Sequence, residues 1–361
     1  MRIPFEPSTR RLQLKLRGSE GESRMIVDLH EDISDYFLSA GATSVIQPFD
    51  EDMEGRHVDI PKYRKAGVRL VFGSIFPMVS GLNPRLIADL GGMYKEWSPA
   101  SVPAAPREIA IEQVKTYYSL EELYGKHLRM IRTGKDLDGL ASKVGILLHL
   151  EGCEALSEPE DLRIFYRLGV RSIGLTWNYD NKYASSCLSR KDYGLTGEGE
   201  ALVKMANRLG VMVDLSHAGP RTCRDVLEFS ETPPFVSHAD AYSVQKHPRN
   251  ATDELIKKVS RRRGVIGLTL INSCIGEPAD ASRLAEHAMH IVRVGGAGAL
   301  ALGTDYMGIR TTPTGLEDIT KLNLLTDALK RKGADKEMAG KMLYSNAMNF
   351  VRRFADSWGG W

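Results

Sequence analysis

Short apolar runs recur along the chain, each closed by a polar residue with useful chemistry and separated from the next by charged, helix-patterned segments. The first is Met25-Ile-Val-Asp-Leu-His-Glu-Asp32 and the second runs from Val68 to Phe76. Between 80 and 140 the period changes. Ile109, Ile111, Val114, Tyr117, Tyr118 and Leu120 recur at near-helical spacing among charged residues, which predicts a helix. Apolar runs then resume at Val144–Leu150, Val170–Thr176, Val211–Ser216, Phe235–Ser237, Val265–Leu270 and Ala297–Gly303. Thr196, followed by Glu198 and Glu200, predicts the start of an amphipathic helix ending at Leu209. Further helices are expected at about 315–331 and 335–355.

Eight apolar strands alternating with helices predict an α/β protein with a parallel sheet, and eight is the number that closes a (β/α)8 TIM-type barrel. No linker, repeat or low-complexity tract divides the chain. The expectation is therefore a single domain over 1–361, with an N-terminal extension at 1–24, barrel strands within 25–310 and C-terminal helices over 311–361.

The polar residues that end these runs carry the functional signal. His30 and Asp32 share one face of the first strand, because side chains two apart on a strand point the same way. Glu151, His217, His238 and Asp305 each follow the apolar part of a later run. Singly, each has an ordinary explanation as a helix cap, a satisfied core histidine or a turn carboxylate. In a barrel all of them converge at the C-terminal strand ends, where such folds build active sites. Three imidazoles and three carboxylates exceed the needs of one tetrahedral zinc and suit two divalent ions sharing a carboxylate. Such a pair activates water as hydroxide near neutral pH and polarises a carbonyl, while a free carboxylate transfers protons.

Composition changes this picture little. Lys plus Arg number 48 against 46 for Asp plus Glu, a net +2 that gives no reason to expect a nucleic-acid partner or an anionic membrane. The first 23 residues carry two prolines and several charges without a signal-peptide core, and no later run has the length of a membrane span; a cytoplasmic protein is expected. Cys153, Cys187, Cys223 and Cys274 are scattered without a Cys-x-x-Cys pair and are read as reduced. The glycines of 194–199 follow a loop and not a strand, which argues against a dinucleotide site. Arg261-Arg-Arg263 is read as a solvated helix end.

Several stretches together resemble the membrane dipeptidase (renal dipeptidase) family of the metal-dependent amidohydrolase superfamily. They are Asp28–Asp32, Leu150–Gly152, Gly194–Gly199, Asn207–His217, Ser237–Ala239, His247-Pro-Arg-Asn250 and Gly303–Asp305. The resemblance implies a binuclear zinc dipeptidase acting on small dipeptides, tolerant of a D-residue on the C-terminal side, and often a homodimer. It implies that His30 and Asp32 bind one zinc, His217 and His238 the other, and Glu151 both. Asp305 would be the proton-transferring catalytic carboxylate, and Arg249 would hold the substrate carboxylate with its two-pronged guanidinium. Trp177 stands where better-studied members carry a histidine, and Met307 where many carry an acid. The loop 178–195, opening at Asn178, is the expected wall or lid of the substrate pocket, with Trp177 and Asn178 facing substrate. Asp28 is either a buried structural carboxylate or a group orienting a ligand. Two rivals remain: a two-metal hydrolase of another amide, ester or lactone, and a metal-containing barrel that binds ligand without turnover.

Overall fold

A computed structural model describes residues 25–39, 48–77 and 105–359. The expected extension at 1–24 lies outside the described residues. Apolar β-branched and leucine-rich runs form strands that are buried on both faces, as parallel strands sheathed by helices must be. β1 (Ile26–Glu31) and β2 (Val68–Ile75) are followed by the short β3 (Leu128–Met130), then by β4 (Val144–Glu151) and β5 (Val170–Gly174). β6 (Met212–Asp214), β7 (Ile266–Leu268) and β8 (Leu300–Leu302) complete the set.

One sheet runs β1-β2-β4-β5-β6 and another pairs β7 with β8, all in parallel. The gap between β6 and β7 is bridged at Phe235 and Val236, which pair with Asp214 and Ile266. Glu31 and Tyr306 pair on the other side and close the ring. Asp305 N donates to His30 O and Asp32 N to Tyr306 O, both at 3.0 Å. The eight positions of the barrel are thus β1, β2, β4, β5, β6, Phe235–Val236, β7 and β8.

Three expectations need correction. The sixth run does not form a strand of its own; it contributes isolated bridges, since Pro233 and Pro234 have no N–H to extend a ladder. The eighth strand starts at Leu300, because Ala297–Ala299 forms a 3-10 turn behind Gly296. The expected helix at 335–355 is broken: Lys336–Gly340 passes through one wide π turn at Lys341–Ser345 before Asn346–Ala355 resumes the α-helix. β3 was not expected at all.

The helices that place the site are α1 (Ile33–Ser39), α2 (Ile60–Ala66), α3 (Ala105–Tyr124), α4 (Leu162–Arg167), α5 (Gly197–Leu209), α6 (Pro220–Phe229) and α7 (Asp253–Arg261). α5 starts and stops where its sequence says. The Thr196 hydroxyl accepts from Gly199 N at 3.1 Å, and Gly210 ends the helix in the left-handed region. None of the described helices is long and apolar enough to cross a membrane. Thr196→Ala is expected to destabilise the protein by about 1 kcal/mol, seen as a lower denaturant midpoint at unchanged slope.

Candidate active site

The strand-end residues converge at the C-terminal mouth of the barrel. His30 Nε2 lies 3.4 Å from Glu151 Oε2 and 3.7 Å from both Asp32 Oδ2 and Asp305 Oδ1. The other oxygen of Glu151 faces the other two histidines: Oε1 is 2.9 Å from His217 Nε2 and 3.5 Å from His238 Nε2. His30 and His238 stack with ring centroids 3.9 Å apart. All but Asp305, whose side chain is 13 % exposed, are buried. Glu151 therefore sits between two groups of ligating atoms, one oxygen turned to each.

Two backbone features hold this arrangement. His217 and Asp305 adopt φ of 64° and 66°, the left-handed region that non-glycine residues enter at a cost and that clusters at functional sites. Gly308 leaves room beside the first ligand pair: a Cβ there would lie 2.0 Å from Asp32 Oδ2.

The imidazoles are oriented from behind. The Asn178 side-chain oxygen accepts from His217 Nδ1 at 2.7 Å. Ser237 Oγ donates to Asp214 Oδ2 at 2.5 Å, so at 2.7 Å it accepts from His238 Nδ1. Both histidines thus carry their proton on Nδ1 and present a bare Nε2 to the mouth. Those two nitrogens are 3.0 Å apart, with Glu151 Oε1 beside them. Three acceptor-type atoms crowded this closely suit a shared cation. The donor set, three imidazoles and three carboxylates, matches zinc or a similar divalent ion. Two ligating triads meet within one small volume: His30, Glu151, His238 and His30, Asp32, Asp305. Both nitrogens of His30 and Oδ1 of Asp32 are buried without a hydrogen-bond partner, which fits ligands awaiting an ion.

The electrostatics agree. Burial, and after it the charge of Arg249, holds His217 down at about 4 and keeps it neutral. Burial also drives His238 well below its usual value, with His30 and Arg249 adding to it. Burial works against charge on His30 as well, but Glu151 and Asp32 outweigh it and raise the imidazole well above its ordinary value. Burial and the charge of Asp32 push Asp305 well above the carboxylate range. Asp28, on the same face as His30, is buried and accepts from Thr304 N at 2.8 Å, from the Thr304 hydroxyl at 2.6 Å and from His30 N at 3.2 Å.

A cavity of about 390 Å³ opens over these residues. Asp32, Glu151, His217, His238 and Asp305 form its floor, while Trp177, Asn178 and Arg249 line its walls. Arg249 is buried, its Nη2 donating to His238 O at 3.3 Å. Its neighbour Asn250 fixes the turn by donating to Gln245 O and Cys274 O at 2.9 and 2.8 Å. Trp177 packs against Phe76, Tyr179 and His217 with centroids 5.0, 5.5 and 5.9 Å apart. From the 178–195 loop Asn178 and Leu188 line the cavity, while Tyr183 and Ala184 are buried and Tyr183 Oη donates to Leu156 O at 2.9 Å. The four cysteines are free thiols. Met307 N donates to His57 Nδ1 at 3.0 Å and lies beside the core.

Sequence reasoning passed over four groups at or near this cavity. Asp214 and Ser237 were hidden because their roles depend on hydrogen bonds across neighbouring strands. Asp35 lies in α1, one turn beyond Asp32, and faces the cavity; burial and the charges of Asp32 and Glu151 push it to about 6. Glu154 lies just behind Glu151, where Asn181 donates to Oε1 at 3.0 Å and Oε2 is buried without a partner.

Burial pushes Glu154 from 4.5 to about 7. A carboxyl raised on folding stabilises the protein fully below its unfolded value, and that contribution is lost as pH rises through the folded one. Glu154→Gln is therefore expected to gain stability relative to the parent, on the order of 2 kcal/mol, between about pH 5 and about pH 8. Urea melts at the two pH values measure it, and a difference independent of pH contradicts it.

Comparison with known proteins shows the family and the fold. The chain is 30 % identical over 344 residues to an uncharacterized dipeptidase of Schizosaccharomyces pombe, covering 91 % of this chain and 80 % of that one. It is 28 % identical over 337 residues to the dipeptidase verJ of Clonostachys rogersoniana, covering 90 % and 83 %. The fold matches a Rhodobacter sphaeroides metallopeptidase crystallised with a phosphinate mimic of the dipeptide L-Ala-D-Ala, with a TM-score of 0.76, 24 % identity and coverage of 91 % and 98 %. The sequence profile of the membrane dipeptidase family, Peptidase family M19, matches residues 21–357. The chain belongs to the membrane dipeptidase family and is a metal-dependent hydrolase.

Proposed function

We propose that this protein is a binuclear zinc dipeptidase, with His30 and Asp32 holding one ion, His217 and His238 the other, and Glu151 both. The observation that carries the reading is Glu151 with its two oxygens turned to separate sets of ligating atoms, beside two imidazole nitrogens that face each other at 3.0 Å. When bound, the ions supply Lewis acidity: they lower the pKa of water and polarise a carbonyl.

The chain's own residues do the rest. Arg249, buried on the cavity wall, receives the C-terminal carboxylate of the dipeptide through a charge-assisted pair. Asp305 lies 3.7 Å from His30 Nε2 at the cavity floor, where its carboxylate takes the proton of the attacking water and delivers it to the departing amine. The packed 178–195 wall and the Trp177 ring shield the reacting groups from bulk water. The phosphinate mimic of L-Ala-D-Ala on the Rhodobacter sphaeroides protein supports extending the substrate range to a D-residue on the C-terminal side. A cytoplasmic location, a homodimer and a single domain over 1–361 complete the reading; the first and last come from the sequence, the homodimer from the family resemblance.

A second reading keeps the two ions and changes the substrate to another amide, ester or lactone. Trp177 favours it, because an indole donates one hydrogen bond and never becomes a cation, so it cannot repeat the oxyanion role of the family histidine. A panel of dipeptides, esters and lactones separates the two.

Asp305→Asn is expected to lower kcat on dipeptides by roughly 100-fold or more with metal content unchanged. Asparagine tolerates the left-handed backbone of this position, so the variant retains the local conformation. Full activity in this variant contradicts the assignment, and fewer than about one divalent ion per chain by elemental analysis of metal-supplemented protein contradicts the two-ion centre.

A further inference from the structure

Eight strand positions surround the cavity, and their order fixes how a dipeptide lies across it. Arg249 comes from the loop after the sixth position, Phe235–Val236, and β2 stands diametrically opposite as the second. With the substrate carboxylate at Arg249 and the peptide bond over the ligand cluster, the N-terminal residue reaches toward the ends of β1 and β2. That side of the wall holds Asp35 and Phe76, and Trp177, from the loop after β5, packs against Phe76.

Asp35 is firmly placed there. Tyr36 N donates to Asp32 O, so α1 winds directly out of the first ligand pair, and residues three apart on a helix share a face. The Ser34 hydroxyl, beside it, lies 2.8 Å from Ser74 O, to which it donates, and 3.1 Å from Gln113 Oε1. Gln113 in turn clasps Phe76, with Nε2 donating to Phe76 O at 2.6 Å. The start of α1 and the end of β2 are thus one rigid unit that presents a carboxylate and an aromatic ring. The Phe76 and Trp177 rings meet edge to face at 5.0 Å.

The charges on the wall leave Asp35 without a task in hydrolysis. Asp32, Glu151 and the histidines belong to the ion centre, Asp305 to proton transfer, and Arg249 to the substrate carboxylate. No described residue donates a hydrogen bond or an ion pair to the Asp35 carboxylate, although it is largely removed from solvent. A half-buried anion in a cavity that aromatic rings also line is an arrangement that receives an organic cation.

We propose that Asp35, with the Phe76 and Trp177 rings, makes this site selective for dipeptides whose N-terminal residue carries a cationic side chain such as lysine. The proposal rests on the dipeptidase reading above. The α-ammonium of any dipeptide has the same chemistry, so the test must separate the two cations.

Norleucine matches the aliphatic chain of lysine and lacks its ammonium. kcat/KM is therefore measured for Lys-Ala and norleucyl-Ala on the metal-loaded full chain, in the parent, in Asp35→Asn and in Asp35→Glu, with metal content and melting temperature checked for each. The parent is expected to favour Lys-Ala by roughly tenfold or more. In Asp35→Asn the ratio should fall to within about twofold of unity, and Asp35→Glu should restore most of it. A parent ratio near unity overturns the proposal, as does a ratio that Asp35→Asn leaves intact. An equal loss on both substrates assigns Asp35 to the α-ammonium and overturns side-chain selectivity. Turnover of norleucyl-Ala without a lysine preference defeats this proposal alone, whereas no turnover of either dipeptide defeats the dipeptidase reading with it.

Discussion

Barrel closure is the constraint on which the rest depends. The backbone hydrogen bonds between His30 and Asp305 and between Asp32 and Tyr306 join the first strand to the end of the last. Without that seam, Asp305 has no fixed relation to His30 and Asp32, and Gly308 has no carboxylate to pack against. Asp28 reinforces it from one layer below, taking two hydrogen bonds from Thr304 across the seam. A buried carboxylate is costly unless its oxygens are satisfied, and here three donors surround it. Of the two readings the sequence left open for Asp28, the structure supports the buried structural carboxylate: it bears the join and accepts from the His30 backbone N–H, while the His30 imidazole makes no hydrogen bond to it.

The same device recurs across the barrel. Asp214 on β6 accepts from Ser216 N, Ser237 N and the Ser237 hydroxyl, joining the ends of two neighbouring strands just below His217 and His238. A buried aspartate two or three residues before a histidine of the cluster, bonded to the residue before another member of the cluster, thus appears twice. In the second case the serine also meets His238 Nδ1, so one hydrogen-bond chain joins the core to the imidazole.

Much of this was legible in the sequence for a simple reason. Parallel strands buried on both faces read as apolar runs, and the residue that ends a run stands at the barrel mouth. His30, Asp32, Glu151, His217, His238 and Asp305 all carry that signal, and the structure brings them together. What escaped lacked it. β3 is three residues long with an arginine at its centre. Asp35 sits inside a helix, where a carboxylate looks like any solvated residue. Ser237 and Asp214 lie within runs, and only pairing across strands shows what they bond. The sixth and eighth strands were overextended because apolar composition does not report whether prolines or a tight glycine turn leave the backbone free to pair.

The seam also sets the order in which the protein becomes competent. Asp28 and Thr304 are bonded across 276 residues of chain. A nascent polypeptide that has emerged as far as His238 already carries three histidines and two carboxylates, yet it has no closed ring to hold them in register. The polar cluster is therefore complete only when this long-range closure is in place.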